Sequence, residues 1–218
     1  MMGFEKNTDV EFGYEKKLQK SAPVQSTYIV IKRFFDFIAA LLLSIIAIPI
    51  IAFFGLLIKL ETPGDVFYRQ ERVGLMGERI FVTKLRSMYS DAEKKTGAMW
   101  AQKNDTRITK VGKFIRLTRI DELPQILNVL TGEMSLIGPR PERPSFTEEF
   151  SETVPGFEQR LRIKPGLSGW AQVTGGYESS PAEKLEADIF YINNISLLLD
   201  LKIVFMTIKT VVTGEGAR

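Results

Sequence analysis

The sequence predicts an α+β protein, mainly helical, in which an apolar membrane helix precedes a small domain built from a β-hairpin and amphipathic helices. Three observations carry that class. Residues 34–58 (FFDFIAALLLSIIAIPIIAFFGLLI) are strongly apolar and carry a single charge, Asp36, which is membrane-class hydrophobicity. Residues 66–73 (VFYRQERV) and 79–85 (RIFVTKL) read as short strands across a turn bracketed by Gly74 and Gly77. Residues 110–130 place apolar side chains at helical spacing with Lys110, Lys113, Arg116 and Arg119 between them, a basic amphipathic pattern.

Composition bounds the chemistry. With 218 residues, 44% hydrophobic and 25% charged, the chain suits one domain with an appendage. Its 29 Lys and Arg against 26 Asp and Glu give +3, a mild excess that suits anionic lipid or phosphate and calls for no nucleic acid. The absence of Cys excludes disulfides and zinc–thiolate sites. The absence of His removes the commonest general base, so a nucleophile must be Ser, Thr, Lys, Tyr, Asp or Glu.

Taken in order, residues 1–27 form a polar, loosely ordered N-terminal arm. Residues 28–60 form the membrane helix, which is no cleavable signal because a long polar stretch precedes it and no Ala-x-Ala-like site follows. Pro49, near its midpoint, lacks a donor and clashes with the preceding turn, so a kink or break is expected there. Lys32 and Arg33 flank one end and Lys59 the other, so charge gives no preferred orientation. Two geometries remain open: a Pro-kinked single pass, the commoner arrangement, and a helix-break-helix that enters one leaflet and returns. Arg33 and Asp36 read as an ion pair at the membrane edge. Residues 61–218 hold the hairpin, then a helix start and surface loop over 89–106. Next come two helices separated near Pro124, one ending at about Thr118 and one starting at about Glu122. The stretches GPRPERP (138–144) and KPGLSGWAQVTGG (164–176) read as structured loops, and residues 197–212 as an amphipathic helix lying on the membrane.

This division puts Asp121 at or beside a helix N-cap and Glu122 in a first turn, where an acid commonly serves only the cap and the dipole. Arg116 and Arg119 nearby should keep Asp121 ionised. An ionised carboxylate can attack phosphorus to give an acyl phosphate, or it can bind a metal. Mg²⁺ usually enters through one or two carboxylates with substrate oxygens, and arginine is the bidentate partner of phosphate.

The stretches KLRSM (84–88), IDELPQILNVLTGEMSLIGPRP (120–141), KPGLSGWAQV (164–173) and LLLDLKI (197–203), following an apolar segment with a central proline, resemble the monotopic phosphoglycosyl transferases, the bacterial sugar transferase family. The resemblance runs from about Lys32 to Thr210. It implies a monotopic protein with a re-entrant helix broken at Pro49 and a cytosolic catalytic domain over 61–218 with interfacial helices. It implies transfer of a phosphosugar from a UDP-sugar to polyprenyl (undecaprenyl) phosphate, releasing UMP through a covalent aspartyl intermediate. That is the first membrane step of a polysaccharide such as exopolysaccharide or lipopolysaccharide. The place implied is the cytoplasmic face of the bacterial inner (plasma) membrane, with Mg²⁺ as cofactor and membrane lipids as surroundings; homo-oligomers and downstream glycosyltransferases are admitted as partners. By position, Asp121 matches the nucleophile and Glu122 its acidic partner, both near the metal. Lys84, Arg86, Arg116, Arg140, Lys164, Gln172 and Asp200 match phosphate- or substrate-binding positions, and Arg33 and Asp36 the pair opening the membrane helix. Two departures stand out: Ile48 replaces the serine many relatives place before the proline, and Gly176 stands where some carry arginine.

Two other functions compete. A non-enzymatic membrane-anchored assembly module would have no use for the paired acids. A metal-dependent transferase using the carboxylates only as ligands would form no covalent enzyme species.

Overall fold

The computed structural model describes residues 12–90, 92, 105–175 and 179–213. Most of the helix start and loop expected over 89–106, and Gly176, lie outside the described residues. The chain begins with α1 (Gly13–Leu18), within the arm expected to be loosely ordered. Tyr14 and Leu18 of this helix are buried with Val73 and Leu161, and Glu148 accepts the Gly13 and Tyr14 amides, so apolar burial and capping together hold it down.

The helix α2 (Thr27–Glu61) starts where the Ser26 hydroxyl accepts the Ile29 amide and runs through Pro49 without separating into two helices. A proline deletes one backbone bond and leaves the flanking ladder in place. Among the described residues α2 is the one helix long and apolar enough to cross a membrane. Its buried positions, Lys32, Asp36, Ala40, Ala47, Gly55 and Ile58, recur at helical spacing and form one stripe along the whole length. Val30, Leu42, Ile45, Ile48, Phe53 and Leu60 are exposed on the remaining surface.

Strands β1 (Phe67–Val73) and β2 (Arg79–Leu85) pair antiparallel, Phe67 opposite Leu85 and Val73 opposite Arg79. The turn between them uses Met76 and Gly77 at positive φ. Helix α3 (Lys110–Leu117) is capped by the Thr109 hydroxyl on the Gly112 amide, and Glu61 accepts the Lys110 and Val111 amides at 2.7 and 3.0 Å. A carboxylate there complements the N-terminal end of the helix dipole. A 3₁₀ turn (Ile120–Gln125) leads into α4 (Ile126–Thr131). Short strands β3 (Ser135–Ile137) and β4 (Gly166–Ser168) pair in parallel, so close that a Cβ on Gly166 would stand 2.1 Å from the Gly138 nitrogen. Helices α5 (Pro144–Thr153), α6 (Trp170–Thr174), α7 (Pro181–Asn193) and α8 (Leu197–Thr213) complete the chain.

The central core joins α2 to the rest. Ala40 and Ala47 pack with Ile80 and Val82 of β2, Ile126 and Val129 of α4, and Met134. A fully buried aliphatic side chain of this kind contributes about 1.5–3 kcal/mol relative to exposure. Both ends of α2 are tied to the same body. At the start, Arg33 donates to the Val129 and Leu130 carbonyls in the last turn of α4. At the finish, Arg86 donates to the Thr62 and Pro63 carbonyls.

Arg33 and Asp36 therefore do not pair. The partner of Asp36 is Lys32, at 3.4 Å one helical turn earlier, and Lys32 also reaches Asp200 at 2.8 Å. Asp200 further accepts the hydroxyls of Tyr28 and Tyr191, each at 2.7 Å, while Asp36 accepts from Ser135. One buried cation thus joins two buried carboxylates, and the remaining oxygen sites are filled by neutral donors, the condition under which buried charge is tolerated.

Candidate active site

Three separate elements converge on the acidic pair. Lys84 comes from the end of β2, Asp121 and Glu122 from the 3₁₀ turn, and Arg140 from the loop after β3. The chain leaves α3 and enters the turn through Arg119 at φ 59, a left-handed conformation that costs a non-glycine residue about 1–3 kcal/mol. That reversal makes Arg119, not Asp121, the residue flanking the turn, so the expected N-cap role of Asp121 is not met; Asp121 stands within the first 3₁₀ turn.

The two carboxylates have different surroundings. Glu122 accepts from Lys84 Nζ at 2.6 Å and is held by both terminal nitrogens of Arg140. Burial alone would raise its pKa, yet Arg140 and Lys84 hold the carboxyl well below the usual range. Asp121 is the more buried of the two, at 8% exposure, and its carboxylate makes no hydrogen bond or ion pair among the described residues. Burial and the Glu122 charge push it up to about 6 against the opposing fields of Lys84, Arg116 and Arg140. Desolvation outweighs the cations in setting this direction, yet a carboxyl at about 6 is still mostly ionised at neutral pH, as expected of Asp121. Burial also weakens the Lys84 ammonium, against the pull of Glu122.

Asp121 and Glu122 line a cavity of about 790 Å³, a size suited to a small-molecule substrate. Its described lining carries ten Lys and Arg against four Asp and Glu, a surplus larger than the +3 of the whole chain. One wall is apolar, formed by Leu43, Ile46 and Ile50 of α2, with Val173 and Val211. Such a space fits a multiply charged anion beside an apolar chain.

Of the residues expected at a site, Lys84, Arg86, Arg116, Asp121, Glu122, Arg140 and Gln172 line this cavity. Arg86 has both terminal nitrogens committed to the end of α2. Lys164, Asp200, Arg33 and Asp36 are not among the lining residues; the last three belong to the anchoring contacts of α2. The reading of the sequence missed Arg72, Arg143, Arg160 and Lys184, which also line the cavity. They lie on β1, before α5, between α5 and β4, and on α7, and no local spacing links them.

For a metal, the described residues hold no group of three acidic or other ligating side chains. Asp121 has its oxygens uncommitted, whereas those of Glu122 are engaged by Lys84 and Arg140. That set fits a cation held by Asp121 and by oxygens a substrate brings.

The model of the family described as bacterial sugar transferase matches residues 27–214. The chain is 47% identical over 194 residues to UDP-N-acetylgalactosamine-undecaprenyl-phosphate N-acetylgalactosaminephosphotransferase of Aeromonas hydrophila, covering 88% of this chain and 46% of that protein. It is 40% identical over 191 residues to UDP-glucose:undecaprenyl-phosphate glucose-1-phosphate transferase of Escherichia coli, covering 85% and 41%. It is 39% identical over 197 residues to the exopolysaccharide production protein PSS of Rhizobium leguminosarum, covering 86% and 98%. The chain spans less than half the length of the first two relatives and nearly all of the third. With a match that takes in the membrane-class helix, the hairpin, the acidic turn and the arginine loop together, the chain belongs to the bacterial sugar transferase family.

Proposed function

We propose that this membrane-associated protein transfers a phosphosugar from a UDP-sugar to undecaprenyl phosphate, through a covalent intermediate on Asp121. The observation that carries the reading is the contrast within the acidic pair: a buried, unengaged carboxylate beside one fully engaged by two cations, on the wall of a cationic cavity. An Asp121 oxygen attacks the β-phosphorus, the bridging oxygen leaves with UMP, and an acyl phosphosugar remains. An oxygen of the lipid phosphate then attacks the same phosphorus and frees Asp121, giving the polyprenyl diphosphosugar. Lys84, Arg116 and Arg140 offset the charge gathering on the phosphate oxygens. Glu122 holds Lys84 and Arg140 in place for this. Mg²⁺, when bound beside Asp121 and the donor diphosphate, would supply further charge neutralisation there.

The apolar wall of the cavity suits the polyprenyl chain, and the exposed apolar surface of α2 suits lipid. Anchoring of both ends of α2 to one body supports a membrane helix whose two ends lie on the same side, as the re-entrant reading requires, although α2 is not broken at Pro49; that reading puts the domain on the cytoplasmic face of the bacterial plasma membrane. The names of the relatives support an undecaprenyl phosphate acceptor and a place at the start of polysaccharide assembly.

The test is UMP release from a panel of UDP-sugars headed by UDP-N-acetylgalactosamine, with mass spectrometry of enzyme quenched before lipid is added. UMP release with a phosphosugar on Asp121 is expected. Turnover that requires both substrates together and leaves no adduct would replace the covalent route by direct transfer.

A further inference from the structure

The loop between β3 and α5 presents Arg140 to Glu122, and its backbone is fixed carbonyl by carbonyl. The Pro139 oxygen accepts from the Gly166 amide at 2.9 Å, and the Glu142 oxygen from the Val73 amide at 2.9 Å. Between them, the Arg140 oxygen accepts from Arg160 Nη2 at 2.8 Å and the Pro141 oxygen from Arg72 Nη1 at 2.9 Å. Two of four consecutive carbonyls are thus held by guanidinium groups reaching from other elements.

Both guanidinium groups are themselves fixed. Arg160 contacts Asp188 through Nε at 2.8 Å and Nη2 at 2.7 Å, both side chains being almost wholly buried, and its guanidinium lies over the Phe157 ring. Arg72 also donates to Gln70 Oε1 and faces Glu142 at 3.8 Å. A buried ion pair contributes little net stability compared with apolar packing. This one also leaves Asp188 Oδ1 without a partner, which a purely stabilising device would avoid. What the pair supplies is a donor at a fixed place.

We propose that Arg160, oriented by Asp188, and Arg72 are positioning residues that set the backbone of Arg140 and through it the clamp on Glu122. Neither needs to touch the reacting phosphate for this. The proposal depends on the phosphosugar-transfer reading only for its kinetic test.

Replacing Arg160 by Lys keeps the cavity charge but cannot serve Asp188 and the Arg140 carbonyl with the same planar fork. In the full-length protein, Arg160→Lys should lower kcat for UMP release about ten- to a hundredfold, the range expected from sub-ångström to 1 Å misplacement, with KM within about threefold. Added to Arg140→Ala, it should cost less than about twofold more, because its route runs through Arg140. Near wild-type kcat, or losses that multiply in the double variant, would overturn the proposal. If Arg160→Lys does not fold, Arg72→Lys, which reaches the loop from β1, is put through the same cycle and decides it. If the wild type releases UMP from no UDP-sugar, the functional reading fails by itself. Hydrogen exchange then judges the positioning claim: faster exchange confined to residues 138–143 supports it, and unchanged exchange there overturns it.

Discussion

Replacing Asp121 by Asn should abolish turnover and at the same time stabilise the protein, by an amount that depends on pH. The Asp121 carboxyl is pushed from its ordinary 3.8 to about 6, mainly by burial. A carboxyl whose folded pKa is raised favours the folded state while protonated and penalises it once charged. The penalty is therefore absent below about pH 4, grows between pH 4 and 6, and is complete above. A shift of about two units corresponds to roughly 3 kcal/mol, an upper figure because the site can relax or admit water. Asparagine preserves the shape without the charge. Relative to wild type, Asp121→Asn should gain up to about 3 kcal/mol at pH 8 and only about 1 kcal/mol at pH 4.5, the larger gain being several degrees in Tm for a chain of this length. The measurement is thermal unfolding of both proteins in detergent with chelator and without substrate, at the two pH values. An equal difference between variant and wild type at both pH values would refute a desolvated, unengaged Asp121.

Three further outcomes are expected. Glu122→Gln removes the anion that holds Lys84 and Arg140, so UMP release should fall about a hundredfold or more while binding of UDP tightens, a split readable by kinetics and by calorimetry. Arg140→Lys loses the two-nitrogen grip on Glu122 and should cost at least about tenfold in kcat/KM, or about 1.4 kcal/mol. Single cysteines at the exposed positions Gln25 and Glu78 should both react with an impermeant thiol reagent only after the membrane is opened; labelling of Gln25→Cys in sealed cells would mean that α2 spans.

Much of the scaffold was legible because its signals are local. The hairpin follows from alternating apolar residues and two glycines, and α3 from its basic amphipathic spacing and Thr109. Helix α7 was equally readable and was missed: Ser180, Pro181 and Glu183 form a capping box with proline in the first turn. The Lys32–Asp36 contact also had a local signal, since residues four apart share a helix face, but Arg33 drew attention by being the stronger anion partner. The parallel pairing of β3 with β4 joins segments about thirty residues apart and leaves no short-range trace. The site divides the same way. Motif positions found Asp121, Glu122, Lys84 and Arg140, while Arg72 and Arg160 act through backbone carbonyls, which carry no residue type to read. Neighbouring cations in the sequence pointed to an ionised Asp121, which a carboxyl at about 6 still is at neutral pH, but the upward direction of its shift comes from burial, which has no local signal.

The core shared by α2, β2 and α4 makes the apolar anchor part of the fold's interior. A truncation at residue 61, intended to yield a soluble fragment, would strip Ile80, Val82, Ile126 and Val129 of their cover and release the carbonyls that Arg33 occupies. The strand that carries Lys84 and the helix that follows Glu122 would lose their backing in the same cut. Expression of the catalytic half alone should therefore yield aggregate. Purification must carry the anchor along, and a protease that clips this region in the cell would destroy the enzyme instead of setting it free.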